Sequence, residues 1–301
     1  MNSRVSDLLD QLLAISHPLA PFDMPLLDAH GATLAQDIFI GDRLVLRAGS
    51  RIRSTQVGVA ASIGLDRLPS RPHPRVVVIS AGDDLVVPGA SLGAADEVFE
   101  SNSWMLTTSV REAGATGYRV HSIPEDHDQL RQVVEDQLVR ADLIIISGQS
   151  RDESFALITG VLTGLGTITT LVPNLAESGH HNFGLIGPDQ VPVVTLPGDP
   201  IGAFLSMEIF IRPMIRTMLG APNVFRNVIS LKLVGRIDSP AGQTSFIRAA
   251  IGSDGTVVAL ANQSDLVSLS DATGLIVVPE KITHYSAGEV VNVMILERSN
   301  N

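Results

Sequence analysis

The stretch from Ala141 to Ser154, ADLIIISGQSRDES, constrains the fold of this chain more than any other. Its four consecutive apolar residues are bounded by Asp142 and Ser147, which is typical of a strand buried on both faces of a parallel sheet. Apolar residues at helical spacing follow from Phe155 to Leu165. The intervening loop therefore joins the carboxyl end of a strand to the start of a helix, the usual ligand crevice of an open α/β sheet.

Composition and charge limit the class of partner. The chain has 301 residues, of which 45% are hydrophobic, and a net charge of -11. It is long enough for more than one core. Its acidity argues against nucleic acid or an anionic membrane surface as the principal partner. We therefore expect a globular protein that binds neither.

The cysteine content and the first residues of the chain indicate in which cellular compartment the protein is expected. The chain contains no cysteine, which excludes disulfides, thiolate metal sites and a cysteine nucleophile. Asp7 and Asp10 interrupt the apolar pattern of the first residues, unlike a signal peptide. No apolar run is long enough to span a bilayer. These features predict a soluble cytoplasmic protein without membrane insertion.

The pattern of elements changes twice along the chain. Residues 1–70 mix a short helix with strand-like segments, and Arg71-Pro72-His73-Pro74 forms a stiff linker. Strands then alternate with helices over 71–221, which predicts right-handed βαβ units and a mostly parallel sheet with flanking helices. Over 222–301 short alternating strands separated by Gly, Asp, Ser and Pro predict a small β-barrel or sandwich. The expected fold is α/β with three domains divided at these bounds.

Two candidate sites near the first strands each have a structural explanation beside the functional one. Asp83 and Asp84 follow the apolar run 76–79, and they suit either a magnesium site or the capping of a loop. The triplet Ser101-Asn102-Ser103 precedes a helical pattern. Its first interpretation is a helix N-cap, with ligand contact second.

Other polar groups carry weaker signals. His180 and His181 with Glu177 are a candidate metal set, but adjacent histidines point apart on a strand and a solvated loop is favoured. Asp126-His127-Asp128 precedes a helix and fits capping and dipole charge better than acid–base chemistry. Ser147 or Ser150 as a nucleophile has no His-Asp arrangement readable beside it, and Trp104 is expected in the core.

Several segments together resemble one family. They are Val76 to Leu85, Ser101 to Leu106, Asp142 to Gly148, Leu196 to Pro200 and Ser286 to Glu289, in the order and spacing of the MoeA family, which includes the E domain of gephyrin. The resemblance covers nearly the whole chain. It implies a central sheet like that of MoaB and MogA, a remnant of the family's first domain at the amino terminus and a carboxyl-terminal β-barrel.

The family inserts molybdate into adenylylated molybdopterin, with magnesium, as an elongated homodimer. The resemblance therefore implies a ligand crevice and a candidate Mg²⁺ ligand, Asp83, while we assign no catalytic residue. The residues that match the family's crevice are Gly82, Asp83, Asn102, Ser103, Ser147, Gly148, Gln149, Ser150, Pro197, Gly198 and Asp199.

The sequence also departs from the family pattern. The family's second domain would lie between Ile40 and Gly41, and this chain passes directly across. In the central loop, the family's glycine, serine and aspartate positions hold Gln149, Arg151, Glu153, Ser154 and Ala156. Side chains at glycine positions obstruct the backbone approach that a phosphate needs. We therefore expect the crevice to be filled by the protein's own side chains.

The cations of a second family motif are also missing. The segment Ala176 to His180 stands where the family has two lysines, and it adds the carboxylate of Glu177. Asp199 replaces an asparagine of the family. Repulsion in place of attraction disfavours a phosphorylated ligand.

Three functional hypotheses follow. We favour a dimeric protein-binding scaffold or adaptor of the molybdenum-cofactor lineage that has lost metal insertion and its cofactors. The alternative is a molybdopterin molybdenumtransferase that retains molybdopterin and Mg²⁺. A different nucleotide-binding α/β protein is third, and the absence of a G-x-G-x-x-G or Walker loop counts against it.

Overall fold

The structure, a computed structural model, describes residues 2–121, 123–148, 152–263 and 265–296. Within these ranges a π-helical turn, Met207–Ile211, joins two of the helices into one continuous segment. The helices are α1 (Val5–Ala14), α2 (Ser54–Ser62), α3 (Asn102–Ala113), α4 (His127–Leu138), α5 (Asp152–Thr163), α6 (Pro200–Ser206), α7 (Arg212–Met218) and α8 (Leu266–Asp271).

Strands fall into a central sheet, a barrel and small sheets around them. They are β1 (Asn2–Ser3), β2 (Phe22–Pro25), β3 (Thr33–Leu34), β4 (Ile38–Ile40), β5 (Arg43–Leu46), β6 (Arg67–Arg71), β7 (Arg75–Ser80), β8 (Leu85–Val86), β9 (Val98–Phe99), β10 (Thr116–Arg119), β11 (Leu143–Ser147), β12 (Gly166–Pro173), β13 (His181–Ile186), β14 (Val191–Leu196), β15 (Val228–Val234), β16 (Ile237–Asp238), β17 (Ser245–Ile251), β18 (Thr256–Ala259), β19 (Gly274–Val278), β20 (His284–Tyr285) and β21 (Val290–Ile295).

The central sheet has the strand order β1-β12-β13-β14-β11-β7-β10. Strands β14, β11, β7 and β10 run parallel, while β13 is antiparallel to both of its neighbours. The mostly parallel α/β sheet predicted from the sequence is thus confirmed, with an antiparallel part that makes it mixed. The sequence reasoning missed β12 and β13, because neither carries a continuous apolar run.

Helices cover both faces of this sheet, which is why the apolar runs in its strands are continuous. All five residues of β11 are buried. Val76 and Val78 of β7 face a core shared with α1, α3 and the helical segment 200–218, whereas Val77 and Ile79 face α4 and α5. Such two-sided burial is typical of parallel strands. None of the helices in the described ranges is long and apolar enough to cross a bilayer.

The carboxyl-terminal strands form the predicted barrel. It is closed, with the order β15-β18-β17-β19-β21. Inward residues such as Val257, Ile276 and Val293 form its core. The β-barrel interpretation of the alternating pattern after Pro222 is therefore confirmed.

The amino-terminal segment has its own small core around Met24, Leu34 and Leu68. Its first residues pack elsewhere: Leu8 and Leu12 of α1 lie in the core beneath the central sheet, and β1 pairs with β12. The boundaries at 70 and 221 stay predictions.

The junction between Ile40 and Gly41 is a tight hairpin. Strands β4 and β5 pair with Ile40 opposite Arg43, so the two-residue turn Gly41-Asp42 connects them and no further domain is inserted there. Gly41 has φ +55°. Two-residue hairpin turns need positive φ at the first central position, where glycine has no steric cost.

We predict that Gly41→Ala destabilises the protein by about 1 to 2 kcal/mol, because an L-residue with a side chain is strained at this φ. The matched control is Gly58→Ala in α2, where an added Cβ meets nothing within 4 Å. The control is expected to stabilise the protein by about 0.5 to 1 kcal/mol, because alanine suits a helix interior better than glycine. Urea unfolding measures both; equal effects would contradict the hairpin turn.

Candidate functional site

A cavity of about 330 Å³ lies between the carboxyl ends of β7, β11 and β14 and the amino ends of α3 and α6. Its lining includes Ser80, Gly148, Gly198 and Asn102. The cavity lies at the strand–helix junctions that the sequence singles out. Its volume is at the lower end of the range for small-molecule sites.

Asn102 holds this end of the sheet together. Its side-chain nitrogen donates to Ser147 Oγ over 2.9 Å and to the Gly198 carbonyl oxygen over 2.7 Å. Ser147 Oγ in turn donates to the Pro197 carbonyl oxygen over 3.1 Å. The hydroxyl proton of Ser147 is thus used in a structural bond, which weakens its interpretation as a nucleophile.

The oxygen of the Asn102 amide has no hydrogen-bond partner among the described residues, although it is buried. The Gly198 carbonyl only accepts, so it fixes the nitrogen on its own side of the amide. A buried acceptor without a partner costs about 1 to 3 kcal/mol. Among the described residues that line the cavity, Asn102 therefore has a buried side-chain acceptor without a partner.

Ser103 is bound inward rather than toward the crevice. Its backbone N–H and its hydroxyl each donate to the carboxylate of Glu100, both over 2.6 Å. Ser101 occupies the N-cap position of α3, as predicted, but its side chain makes no capping bond. The carboxylate of Glu100, a residue that was not predicted from the sequence, accepts the hydrogen bond from the Ser103 N–H at this end of the helix instead.

Trp104 is not in the core, contrary to the sequence interpretation. It is 48% exposed, because the buried face of α3 is formed by other residues, including Leu106 and Val110. The guanidinium of Arg119 lies 4.0 Å from the centre of the Trp104 ring. A guanidinium at this distance over an indole face makes a favourable cation–π contact.

Gly82 and Asp83 form the turn after β7. The backbone N–H of Gly82 donates to the Ile123 carbonyl oxygen over 3.1 Å. Asp83 is exposed, and its Oδ1 accepts from the Glu125 N–H over 2.8 Å. This is the loop-capping role. The described residues contain no group of three His, Cys, Asp or Glu that could hold a metal, so they provide no preformed Mg²⁺ cage, although Mg²⁺ commonly needs only one or two carboxylates.

Gly148 ends β11 in a conformation that requires glycine. It is buried, with φ +150°, and a Cβ at this position would overlap the Ala81 carbonyl oxygen. The predicted site residues Gln149 and Ser150, with Arg151, lie outside the described residues. Glu153 is exposed and is not part of the described lining of the cavity, and the expectation that the protein's own side chains fill the crevice stays a prediction.

The segment after β14 places another carboxylate at the cavity. Pro197 is buried, and Gly198 and Asp199 line the opening. Asp199 Oδ1 accepts from the backbone N–H groups of Ile201 and Gly202, both over 3.0 Å. Asp199 thus caps α6, and its negative charge occupies the helix end that an anion would otherwise use.

The carboxylate of Glu177 faces the barrel. Its Oε2 lies 3.1 Å from an amino group of Arg248, whose side chain is fully buried. Arg248 Nε also donates to Ser268 Oγ over 3.0 Å. The two residues are 71 positions apart in the sequence, which is why sequence reasoning could not pair them. The acidic group that replaces the family's cations is thus partly neutralised.

His181 is fully buried at the start of β13, so the solvated-loop interpretation is wrong for it, whereas His180 is exposed. Its Nδ1 donates to the Gly179 carbonyl oxygen over 3.1 Å, and its Nε2 accepts from Ser206 Oγ at 2.9 Å. Burial lowers the pKa of His181 to about 4. The neutral ring therefore links β13 to α6.

Two regions of the chain match known protein families. Residues 77–217 match the family described as a probable molybdopterin binding domain, and residues 230–296 match the MoeA C-terminal region (domain IV). The chain is 32% identical over 270 residues to molybdopterin molybdenumtransferase 1 of Mycobacterium tuberculosis H37Rv, covering 86% of this chain and 63% of that protein. It is 24% identical over 307 residues to gephyrin of Dictyostelium discoideum, covering 89% of this chain and 42% of gephyrin.

A solved structure has the same fold. The molybdopterin biosynthesis MoeA protein from Pyrococcus horikoshii OT3 superposes with a TM-score of 0.82 at 16% identity, over 98% of this chain and 100% of that one. The sheet, its crevice and the barrel therefore define a protein with a molybdopterin-binding type of domain. More particularly, the chain belongs to the MoeA/gephyrin-like family of molybdenum cofactor biosynthesis proteins. It spans 63% of the length of its Mycobacterium tuberculosis relatives.

We predict that His181 makes stability fall as the pH drops from about 6.5 to about 4. Because its pKa is depressed in the folded state, the unfolded chain binds the proton at a higher pH than the folded protein does. The free energy of unfolding therefore falls by up to about 3 kcal/mol over this range. Urea unfolding of the wild type and of His181→Gln at several pH values measures the effect. The variant should lose this part of the slope, whereas exposed His30→Gln should keep it. An unchanged slope in His181→Gln would contradict the prediction.

Proposed function

We propose that this chain retains the molybdopterin-binding fold without molybdate insertion and acts as a dimeric protein-binding scaffold or adaptor. The observation that carries the proposal is the charge around the crevice. The charged side chains that line it in the described ranges are Asp84, Glu100 and Asp199, all acidic. A phosphorylated pterin is an anion, so this lining disfavours the substrate that insertion requires.

Coulomb repulsion gives the scale of this effect. Two unit charges about 6 Å apart interact by roughly 3 kcal/mol at the effective dielectric constant near a protein surface. Glu100 is compensated in part by Arg119, whose guanidinium lies 3.8 Å away. Asp199 is exposed and caps α6, and screening by water and salt reduces its effect. The repulsion that remains from Asp199 supports weak binding of the phosphorylated pterin rather than none.

Protein binding is supported by large apolar side chains at the surface. Phe39 and Ile40 at the hairpin β4–β5 are 54% and 50% exposed, and Trp104, Val98 and Phe99 near the crevice are each about half exposed. Exposed apolar groups of this kind are common at protein interaction sites. We propose that they serve a homodimer and a protein partner. Sedimentation velocity should then give a mass near twice 31.9 kDa, and a monomer at micromolar concentration would contradict the dimer.

The alternative is a molybdopterin molybdenumtransferase. Two Mycobacterium tuberculosis relatives of that name, at 32% and 33% identity, favour it. A crevice residue also favours it, since Asn102 leaves a buried acceptor oxygen for a ligand N–H. Under this alternative the chain binds molybdopterin as substrate together with Mg²⁺.

An insertion assay separates the two proposals. Purified protein is incubated with adenylylated molybdopterin, molybdate and Mg²⁺, and the product is detected by activation of a cofactor-free molybdenum enzyme. We expect no activation above the reaction without protein. Activation comparable to that given by a molybdenumtransferase control would establish the alternative and overturn the loss of insertion.

A single substitution tests the charge argument. Asp199→Asn keeps an acceptor for the cap of α6 but removes the negative charge. We predict that it strengthens binding of neopterin monophosphate by roughly 3-fold to 10-fold, which follows from removing one repulsion of about 1 kcal/mol. Binding of unphosphorylated neopterin should stay the same. Calorimetric titration measures both.

The control is Asp189→Asn, the same charge change in the turn before β14, at the opposite end of the sheet. It should alter neither affinity. A gain for the phosphate in both variants would indicate a general effect of net charge and would contradict a local role for Asp199.

A further inference from the structure

Three arginines border one small cavity, which shares no lining residue with the acidic crevice. Arg51 comes from the loop before α2, Arg111 from the last turn of α3 and Arg216 from α7. The cavity has a volume of about 60 Å³ and includes Gly49 and Gly114 in its lining. This cluster of positive charge is conspicuous in a chain with a net charge of -11.

The three guanidinium groups form no ion pair with the described residues, although Glu112 lines the same cavity. Among the described residues, none of them lies within ion-pair distance of a carboxylate. Arg111 donates to the Gly117 carbonyl oxygen over 3.3 Å, and Arg216 donates to that of Asn223 over 3.4 Å. Guanidinium groups present five donors each, so most of their hydrogen-bonding capacity is left for another partner.

Arg51 and Arg216 also repel each other. The pKa of Arg216 is lowered, first by burial and then by the positive charge of Arg51. The end of α3 offers some compensation, since its carbonyl groups favour cations. An anion between the guanidinium groups would relieve the repulsion and supply the missing acceptors.

The volume limits the size of such an anion. A single water needs roughly 10 to 15 Å³ measured in the same way, so the cavity holds an object of about four or five heavy atoms. A tetrahedral oxyanion has this size. Its oxygens match the planar, paired N–H donors of arginine, which is why arginine is frequent at phosphate and sulfate sites.

We propose that Arg51, Arg111 and Arg216 form a binding site for a small inorganic oxyanion of the sulfate, phosphate or molybdate type. The site joins two parts of the fold, because Arg51 belongs to the amino-terminal segment and the other two arginines belong to helices of the central sheet. The bound anion therefore strengthens the docking of that segment on α3 and α7.

Calorimetric titration of the full chain with sodium sulfate and with sodium molybdate, at constant ionic strength in chloride, tests the proposal. Saturable binding to the wild type is expected. Arg51→Gln and Arg216→Gln should each weaken it about 10-fold, the effect of losing one charged hydrogen bond. The control, Arg47→Gln, changes an exposed arginine of the same loop that does not line the cavity and should bind as the wild type does.

Glu112 provides a variant that should gain affinity. Its side chain lines the same cavity, and its negative charge opposes an incoming anion. Glu112→Gln is therefore expected to strengthen binding severalfold. A merely structural role of the arginines would not produce this gain, so the variant keeps the test informative even if Arg216→Gln fails to fold.

Two results would overturn the proposal: the absence of saturable binding to the wild type, or equal affinity in the wild type, Arg51→Gln and Glu112→Gln. Phenyl phosphate distinguishes the source of the anion. It should bind more weakly than sulfate, because a cavity of this volume has no room for the ring. Equal affinity for phenyl phosphate would overturn the assignment to a free inorganic ion.

Discussion

The buried side-chain amide of Asn102 ties together the segments on which the crevice depends. Its nitrogen bonds both to Ser147 at the end of β11 and to Gly198 after β14, while the residue itself begins α3. These segments meet because parallel strands buried on both faces bring their carboxyl ends to one edge. Loss of this amide would leave a strand end, a loop and a helix start without a common contact.

The strands that carry a recognisable hydrophobic pattern in their own residues could be predicted from the sequence. The apolar runs 76–79 and 143–146 identified β7 and β11, and alternation after Pro222 identified the barrel. Strands β12 and β13 were missed, because their stability comes from pairing with distant neighbours rather than from a pattern of their own. The π-helical turn at 207–211 also had no recognisable signature.

The candidate site was harder to predict than the fold, for the same physical reason. Glycine and polar residues after the strands marked its position, but the contacts that define it are long-range. Trp104 and His181 exchanged their expected environments, one exposed on α3 and the other buried beneath α6. Glu177 was expected to repel a ligand, yet its carboxylate pairs with Arg248 of the barrel. Composition cannot show which charges meet in space.

Among the described residues, no arginine or lysine lines the crevice, although Arg119 pairs with Glu100 beside it. Arg248 is buried in the barrel, and Arg51, Arg111 and Arg216 surround a separate cavity, while carboxylates line the end of the sheet. We propose that this distribution of charge prevents firm retention of a phosphorylated pterin. Mass spectrometry of the native protein, purified gently from its own cells, tests it most directly. We expect the mass of the polypeptide without a phosphorylated pterin; recovery of that ligand at about one per chain would contradict the account.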